Sequence, residues 1–469
     1  GWGGQLDFCN NKNSWLIDYK FVFSTSNFDI DQSYWAEPSQ KHLSQIMFKV
    51  YSSDQESIKI KTNQAKLDTK LFTWDFVADK NINFVENECI KYKSNYFKLG
   101  ILGTWYSKCA IASYSQNLFS NLNEEIVIFS PYEEKKPNTS TYNVLPSWHL
   151  DSKKQSFNDL YKLIISEEIT TLFIQFNYGL FCLDRLSELI DYLDENNVST
   201  VILLHSTIDP QHDTDQKLSN IKNSLLKTNR ILVHSIDDLN RLKDLGIVDN
   251  ADLFSHGITD LVPTINFKQV LKNRINFIRR KKIASYGLCL PNKGYKELIH
   301  AINILKESGV EISLTIFTPI YIKEYEYLYH ELKQLINDLK LNNLVSIESK
   351  YMTEVDTLNH LTSFDCIVFP YQESNESSSA AVRKGLASKR PVLVTPINLF
   401  GDVSNLVDFL PGVSSNDIAS GINQWYESGK VNIFGRSFET REKLLATKRF
   451  SYLRERLINT LKSLEVNQS

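Results

Sequence analysis

From about residue 97 onward, short apolar runs alternate with stretches whose apolar residues recur every three or four positions. The runs FKLGILG, EIVIFS, TLFIQF, TVILLH, RILVHS, KIASYG, EISLTIF, DCIVFP and RPVLVT read as strands. Their near-continuous apolar character predicts burial on both faces, because a half-exposed strand would alternate polar and apolar residues. Strands separated by amphipathic helices predict parallel sheets covered by helices on both sides. The alternation breaks at 261–280, where LVPTINFKQVLKNRINFIRR brings a proline and starts a basic run, Arg279 to Lys282, that reads as a solvated linker edge. Two doubly wound domains are therefore expected, 96–270 and 271–469.

The first 80 residues lack this alternation and are expected to be mainly helical. HLSQIMFKVYSSDQESIKIKTNQAKLDTKLFTW, ending at Trp74, parallels DIASGINQWYESGKVNIFGRSFETREKLLATKRFSY, ending at Tyr452. Both show an apolar helix, a polar break, a charged helix and then Lys-x-Phe-[Ser/Thr]-aromatic. The parallel predicts that 1–80 is the tail of a preceding copy of the module ending at 469. On that reading Trp15, Phe21, Phe23 and Trp35 are exposed or covered only by makeshift contacts. The rival reading is two helical hairpins alike by chance.

With 469 residues, 42% of them hydrophobic and 23% charged, the chain can bury more than one core. A formal net charge of −3 offers no electrostatic footprint for nucleic acid. No apolar run approaches a membrane span, and the six cysteines are scattered singly, without zinc-site spacing or disulfide density. A reducing, cytoplasmic location is the expectation. No Asp-x-Asp metal motif stands at a strand end, so catalysis without a metal or other cofactor is expected.

The stretch ESSSAAVRKGLASKRPVLVT, Glu376 to Thr395, carries the most chemistry per residue. It predicts a serine loop, a helix bearing Arg383 and Lys384, and a buried strand. Ligands of open parallel sheets sit beyond the carboxyl ends of the strands, and a helix that starts in a small-residue loop offers free N–H groups to anions. Ser377, Ser378 and Ser379 are the candidate ligand loop; an ordinary strand-helix-strand unit with a serine cap is the alternative.

Several motifs in order resemble the retaining GT-B glycosyltransferases of family 4, over residues 98–469. GTWYSKCAIASYSQNLF from Gly103 is similar to the family's opening strand-to-helix loop, with Ala110 where Gly-Ile-Ala-x-Tyr has its glycine. IQFNYGLF and LLHST resemble strand ends that line the cleft, and SHGI, Ser255 to Ile258, resembles the turn before the interdomain crossing. YGLCLPNKGYKELIHAI, from Tyr286, is similar to the first strand and helix of the nucleotide domain. The loop form Glu-Ser-Ser-Ser-x-Ala-Val-Arg resembles a branch that assembles bacterial surface polysaccharides such as O-antigen, often as tandem enzymes.

The resemblance implies two Rossmann-like domains facing across a cleft, an N-terminal acceptor domain and a C-terminal donor domain. It implies transfer of a hexose, with mannose from GDP-mannose as first guess, to a growing polysaccharide or lipid-linked glycan, with peripheral contact at the inner face of the cell membrane. Lys293, in the turn Asn292-Lys293-Gly294, matches the phosphate-binding lysine, while Gly287-Leu288 stands where Gly-Arg is usual, so Arg383 is expected to supply the missing cation. Glu376 matches the first acid of the E-x7-E motif, beside the donor sugar. The second position is Lys384, and an ammonium cannot accept hydrogen bonds from ribose hydroxyls. His205 matches a strand-end histidine that contacts the donor sugar, and His256 is expected to shape its turn. Gln175 and Asn177 suit hydroxyl recognition, and Tyr178 and Phe181 offer flat surface to a sugar face. Catalysis would rest on His205, Lys293, Arg383 and Glu376, with the leaving diphosphate stabilised electrostatically. Another GT-B activity, phosphorolytic or epimerising, is the second enzymatic reading. Leu288, Lys384 and Ala110 also fit a degenerate, non-catalytic module that binds glycan or scaffolds an active partner.

Overall fold

The apolar runs do become parallel strands, gathered in two separate sheets. A computed structural model describes residues 1–24, 33–88, 97–107, 109–120, 122, 124–137, 142–211, 213, 215–263, 281–320, 322–374, 376–428 and 438–466. The hairpin β1 (Tyr19–Phe23) and β2 (Tyr34–Pro38) comes first. The first domain's sheet uses β3 (Leu99–Leu102), β4 (Ile126–Pro131), β5 (Asn143–Trp148), β6 (Thr171–Phe176), β7 (Ser199–Leu204), β8 (Arg230–Val233) and β9 (Ala251–Leu253). Their spatial order is β5-β4-β3-β6-β7-β8-β9, all parallel. The second sheet uses β10 (Lys281–Tyr286), β11 (Ile312–Phe317), β12 (Val345–Glu348), β13 (Cys366–Phe369), β14 (Val392–Val394) and β15 (Asp408–Phe409), in the order β12-β11-β10-β13-β14-β15.

The central strands β3, β4, β6, β7 and β13 are buried along their whole length, which is why they read as unbroken apolar runs. Each sheet changes direction of growth once, between β3 and β6 in the first and between β10 and β13 in the second. At such a switch point the loops after the two strands diverge and leave a crevice. The loops so placed are 103–109 and 177–182 in one domain and 287–294 and 370–379 in the other, where most candidate site residues lie.

The chain does not divide as the alternation suggests. Helix Phe450–Val466, assigned from sequence to the second domain, crosses back and covers the first. Phe450, Leu453, Leu457, Ile458, Leu461 and Leu464 pack in one core with Leu99, Ile128 and Phe173. The crossing is fixed where Ile258 N–H donates to Lys448 O at 2.7 Å and Phe450 N–H to Ile258 O at 2.9 Å. Gly257 must lack a side chain there, since a β-carbon would collide with the Phe450 ring. Arg454 then donates to the Leu118 carbonyl at 2.8 Å.

The N-terminal segment also departs from expectation. Phe21 is buried in the first domain's core, and its backbone pairs with the Asn240 side chain at 2.7 and 2.9 Å. Tyr34 donates to Asp252 at 3.1 Å and Lys243 pairs with Asp18 at 2.8 Å, so the hairpin is an integral edge of this domain. Trp15 and Phe23 are half-buried, while Trp35 is exposed. The helices Gln40–Ser52, Gln55–Thr69 and Trp74–Glu88 repeat the order of Ser415–Ser428, Phe438–Ala446 and Phe450–Val466, with the Lys-x-Phe-[Ser/Thr]-aromatic signature opening the third helix of each set. Their packing differs. Ile418, Ile422 and Trp425 are buried, whereas Met47, Phe48, Tyr51 and Trp74 are 64–89% exposed.

Candidate active site

Each sheet carries a polar cluster at the carboxyl ends of its strands, and the two domains touch where Ser377 meets Asp238 and Arg383 meets the His256 carbonyl. In the first domain, His205, His234 and His256 follow the carboxyl ends of β7, β8 and β9 and gather around Tyr114, whose ring centroid lies 5.0, 5.5 and 4.8 Å from theirs. Parallel strands in register place their ends side by side, so residues far apart in sequence converge.

Hydrogen-bond chemistry assigns the protons of this cluster. His234 Nδ1 lies 2.9 Å from the Phe254 carbonyl, which only accepts, so Nδ1–H donates. The Nε2 of a neutral His234 then accepts, and takes the Nδ1 proton of His205 at 3.2 Å. His205 Nε2 is left as an acceptor, 2.7 Å from the side-chain amide of Gln175. That amide satisfies it when its NH2 group faces the ring; in the opposite orientation the NH2 is buried without a partner. Burial pushes all three histidine pKa values down, well down for His205 and His256, with the Arg383 charge adding to the effect on His256. The cluster is neutral. Both ring nitrogens of His205 are engaged, so a hydrogen bond from His205 to a sugar must displace Gln175 or His234.

Of the other first-domain candidates, Asn177 is half-buried and accepts from Gly179 N–H at 2.9 Å, while the Tyr178 hydroxyl donates to Asp209 at 2.7 Å. Phe181 is buried against Trp148, in the core and not on a sugar-binding face. Ala110 is exposed at the start of helix Ala110–Phe119.

In the second domain the turn 292–294 is built around Gly294, whose φ of 72° and contact with the Pro370 carbonyl exclude any side chain. It aims Lys293 across the switch point. The ammonium sits 4.1 Å from the Tyr371 ring centroid and 3.6 Å from Glu376. Burial alone would lower the pKa of Lys293, but Tyr371 and Glu376 outweigh it and hold it above the usual lysine value. Lys293 therefore remains charged at neutral pH. Asn292 is exposed and donates to Glu373 at 2.8 Å. Beside Gly287 lie the hydroxyls of Tyr295 and Tyr371, 3.0 and 3.4 Å from where a β-carbon would stand.

The serine loop lies against the first domain. Buried Ser377 donates to Asp238 at 2.9 Å, and Asp238 also accepts from Thr207 and Arg241, both at 2.6 Å. Ser378 is half-buried, and Ser379 caps helix Ala380–Ala387 by accepting from Val382 N–H. Arg383, expected on a diphosphate, is committed elsewhere. It is 3% exposed, paired with the buried Asp402, and donates to Ser379 O at 3.0 Å and His256 O at 3.5 Å. A guanidinium so enclosed fastens the helix to the 256 turn and presents no fork to a ligand.

Sequence reading passed over His234, Asp238 and Asp402. Ser235-x-x-Asp238 reads as an ordinary helix start, and nothing near Asp402 signals its partner 19 residues away. Among the described residues no group of three or more His, Cys, Asp or Glu is arranged to hold a metal ion, and no helix is long and apolar enough to cross a membrane.

No family model matches the chain, and no curated protein matches it. Among solved structures it is similar to HepE of Anabaena in complex with UDP, at 12% identity and a TM-score of 0.64, covering 78% of this chain and 100% of that one. It is similar to a glycosyltransferase of Rickettsia africae, at 13% identity and a TM-score of 0.60, covering 79% of this chain and 98% of that one. Sucrose-phosphate synthase of Thermosynechococcus elongatus gives 11%, 0.59, 79% and 100% in the same terms. At such identities the likeness is one of architecture: two parallel-sheet domains across a cleft, the GT-B fold.

Proposed function

We propose that the chain is a retaining glycosyltransferase that moves a hexose from a nucleotide-diphosphate sugar to a growing surface polysaccharide or lipid-linked glycan. One observation carries the reading. A charged lysine and two tyrosine hydroxyls stand at the switch point of the second sheet, and a neutral polar cluster with His205 and Gln175 stands at the carboxyl ends of the first sheet's strands. Fixed positive charge at one end of a cleft suits a departing diphosphate, and neutral donors and acceptors suit a sugar. In HepE of Anabaena, of like fold, UDP-glucose is the bound molecule.

In the proposed reaction the anomeric carbon–oxygen bond breaks and its electron pair goes to the diphosphate, which Lys293 and the N–H groups opening helix Ala380–Ala387 stabilise. The acceptor hydroxyl attacks the same face, and its proton passes to the departing phosphate oxygen. Glu376 stays paired with Lys293 and forms no covalent bond. Mannose remains the first donor to try, and peripheral placement at the inner membrane face belongs to the same proposal.

A thermal-shift screen against GDP-, UDP-, dTDP- and ADP-sugars tests it, since a ligand that binds only the folded state raises Tm. The expected result is a rise with one nucleotide class and release of its nucleoside diphosphate on incubation. Binding without release or transfer would favour the second reading, a non-catalytic module, for which the enclosure of His205 and Arg383 speaks.

A further inference from the structure

Lys384 occupies the position where the resembled motif has an acid, and the structure shows what the ammonium does there. The half-buried side chain rises from helix Ala380–Ala387 toward the carboxyl end of β10, donates to the Tyr286 hydroxyl at 3.2 Å and lies 5.3 Å from that ring's centroid. Among the described residues no carboxylate pairs with it. A half-buried cation without a counter-charge is costly, and an anion at this spot would relieve that cost.

A second, independent observation lies next to it. Gly287 follows Tyr286 directly, and a β-carbon there would crowd the Tyr295 hydroxyl at 3.0 Å and meet Ala381 of the same helix at 3.9 Å, so the glycine lets these groups close in around one point. Tyr295 is 5% exposed, and its hydroxyl has only a loose contact with the Thr318 hydroxyl, short of full hydrogen-bond geometry. The Tyr286 hydroxyl that Lys384 reaches is also near enough to Tyr295 to act on its ionisation, so a poorly satisfied buried hydroxyl and an ammonium without a carboxylate share one neighbour, and an oxyanion would suit both. Lys293 approaches the same space over Tyr371, whose hydroxyl also borders Gly287.

We propose that Lys384 binds an oxyanion of the ligand's diphosphate beside Gly287, together with Lys293 and the Tyr295 hydroxyl. This deepens the reading of a nucleotide-sugar donor and rests on it. The second cation that Leu288 cannot supply comes from the helix after the serine loop, one position beyond the enclosed Arg383. The charge reversal at 384 then marks a moved phosphate contact and not a lost ribose contact. A ligand whose diphosphate lies against this helix fits the chain; one that presents only a ribose diol there does not.

Calorimetric titration tests this with inorganic pyrophosphate, with UDP, GDP, dTDP and ADP, and with the four matching nucleosides. Lys384→Ala is expected to weaken pyrophosphate and the preferred nucleoside diphosphate by about tenfold each, the scale of one charged hydrogen bond, and to leave the nucleoside unchanged. Lys384→Arg should restore most of the affinity, and Lys384→Glu should weaken it further. Melting temperatures of the free variants show whether each remains folded; Lys384→Arg serves if the others do not. Unchanged diphosphate affinity in folded Lys384→Ala, or equal weakening of nucleoside and diphosphate, overturns the inference while the donor reading stands. Failure of the unmodified chain to bind pyrophosphate or any of the four diphosphates overturns both.

Discussion

Neutrality of the three clustered histidines has a consequence for stability. Each has a folded-state pKa below its ordinary value of about 6.5, so the unfolded chain takes up protons first as the pH falls. Their contribution is therefore complete above about pH 6.5 and is lost below it, by about 1.4 kcal/mol per pH unit for each histidine not yet protonated in the fold. The charges facing the cluster are Arg383 toward His256 and His234, with Asp238 and Asp402 toward His234. Thermal melts between about pH 7.5 and 5.5 should show a falling Tm; a flat profile contradicts the assignment of neutral rings. Gln175→Glu offers His205 a carboxylate in place of an amide, and should raise the His205 pKa, as read by 15N shifts. Arg383 makes a different prediction from the one its sequence position suggests. Arg383→Met leaves Asp402 buried and unpaired and should cost about 3–5 kcal/mol in urea denaturation, and Arg383→Met with Asp402→Leu should recover much of it.

At the scale of elements, the turn 292–294 is the most exposed to a single change. Gly294→Ala forces a β-carbon into the Pro370 carbonyl at a positive φ, so the turn that aims Lys293 must rearrange. Lowered stability together with loss of pyrophosphate binding is expected; retention of both would show that the turn is not what positions the lysine. Central strands were legible because burial on both faces leaves an unbroken apolar run. The outer strands β5, β9, β12 and β15 and the hairpin β1–β2 were not, because strands such as NVLPSW and VSIE mix polar residues or a proline into the run and show no clear period. The turn at 292–294 and the Ser379 cap were legible in sequence, since each is built from local chemistry. Asp238 was not, since its partner Ser377 is 139 residues away and only the meeting of two domains reveals it. Arg383 was visible as a cation but its buried counter-charge was not.

For the whole molecule, the two halves of the N-terminal segment should respond differently to substitution. Phe21→Ala empties a place in the first domain's core and should cost about 3–5 kcal/mol, whereas Trp74→Ala, at 88% exposure, should change stability by no more than about 0.5 kcal/mol. Equal effects in a denaturant titration would contradict the division between an integral hairpin and an outlying helical arm. The return of helix Phe450–Val466 bears on synthesis. A ribosome delivers β3 to β9 long before residues 450–466 exist, yet those residues close one face of that sheet. Leu99, Ile128 and Phe173 must therefore wait, partly uncovered, while the entire second domain is made. Contacts such as Arg454 with Leu118, 336 residues apart, form late and carry the loop-closure entropy of a loop that includes the entire second sheet. Until residues 450–466 arrive, the first domain exposes apolar surface of the kind that promotes aggregation, so its maturation is timed by a helix made after the whole second sheet.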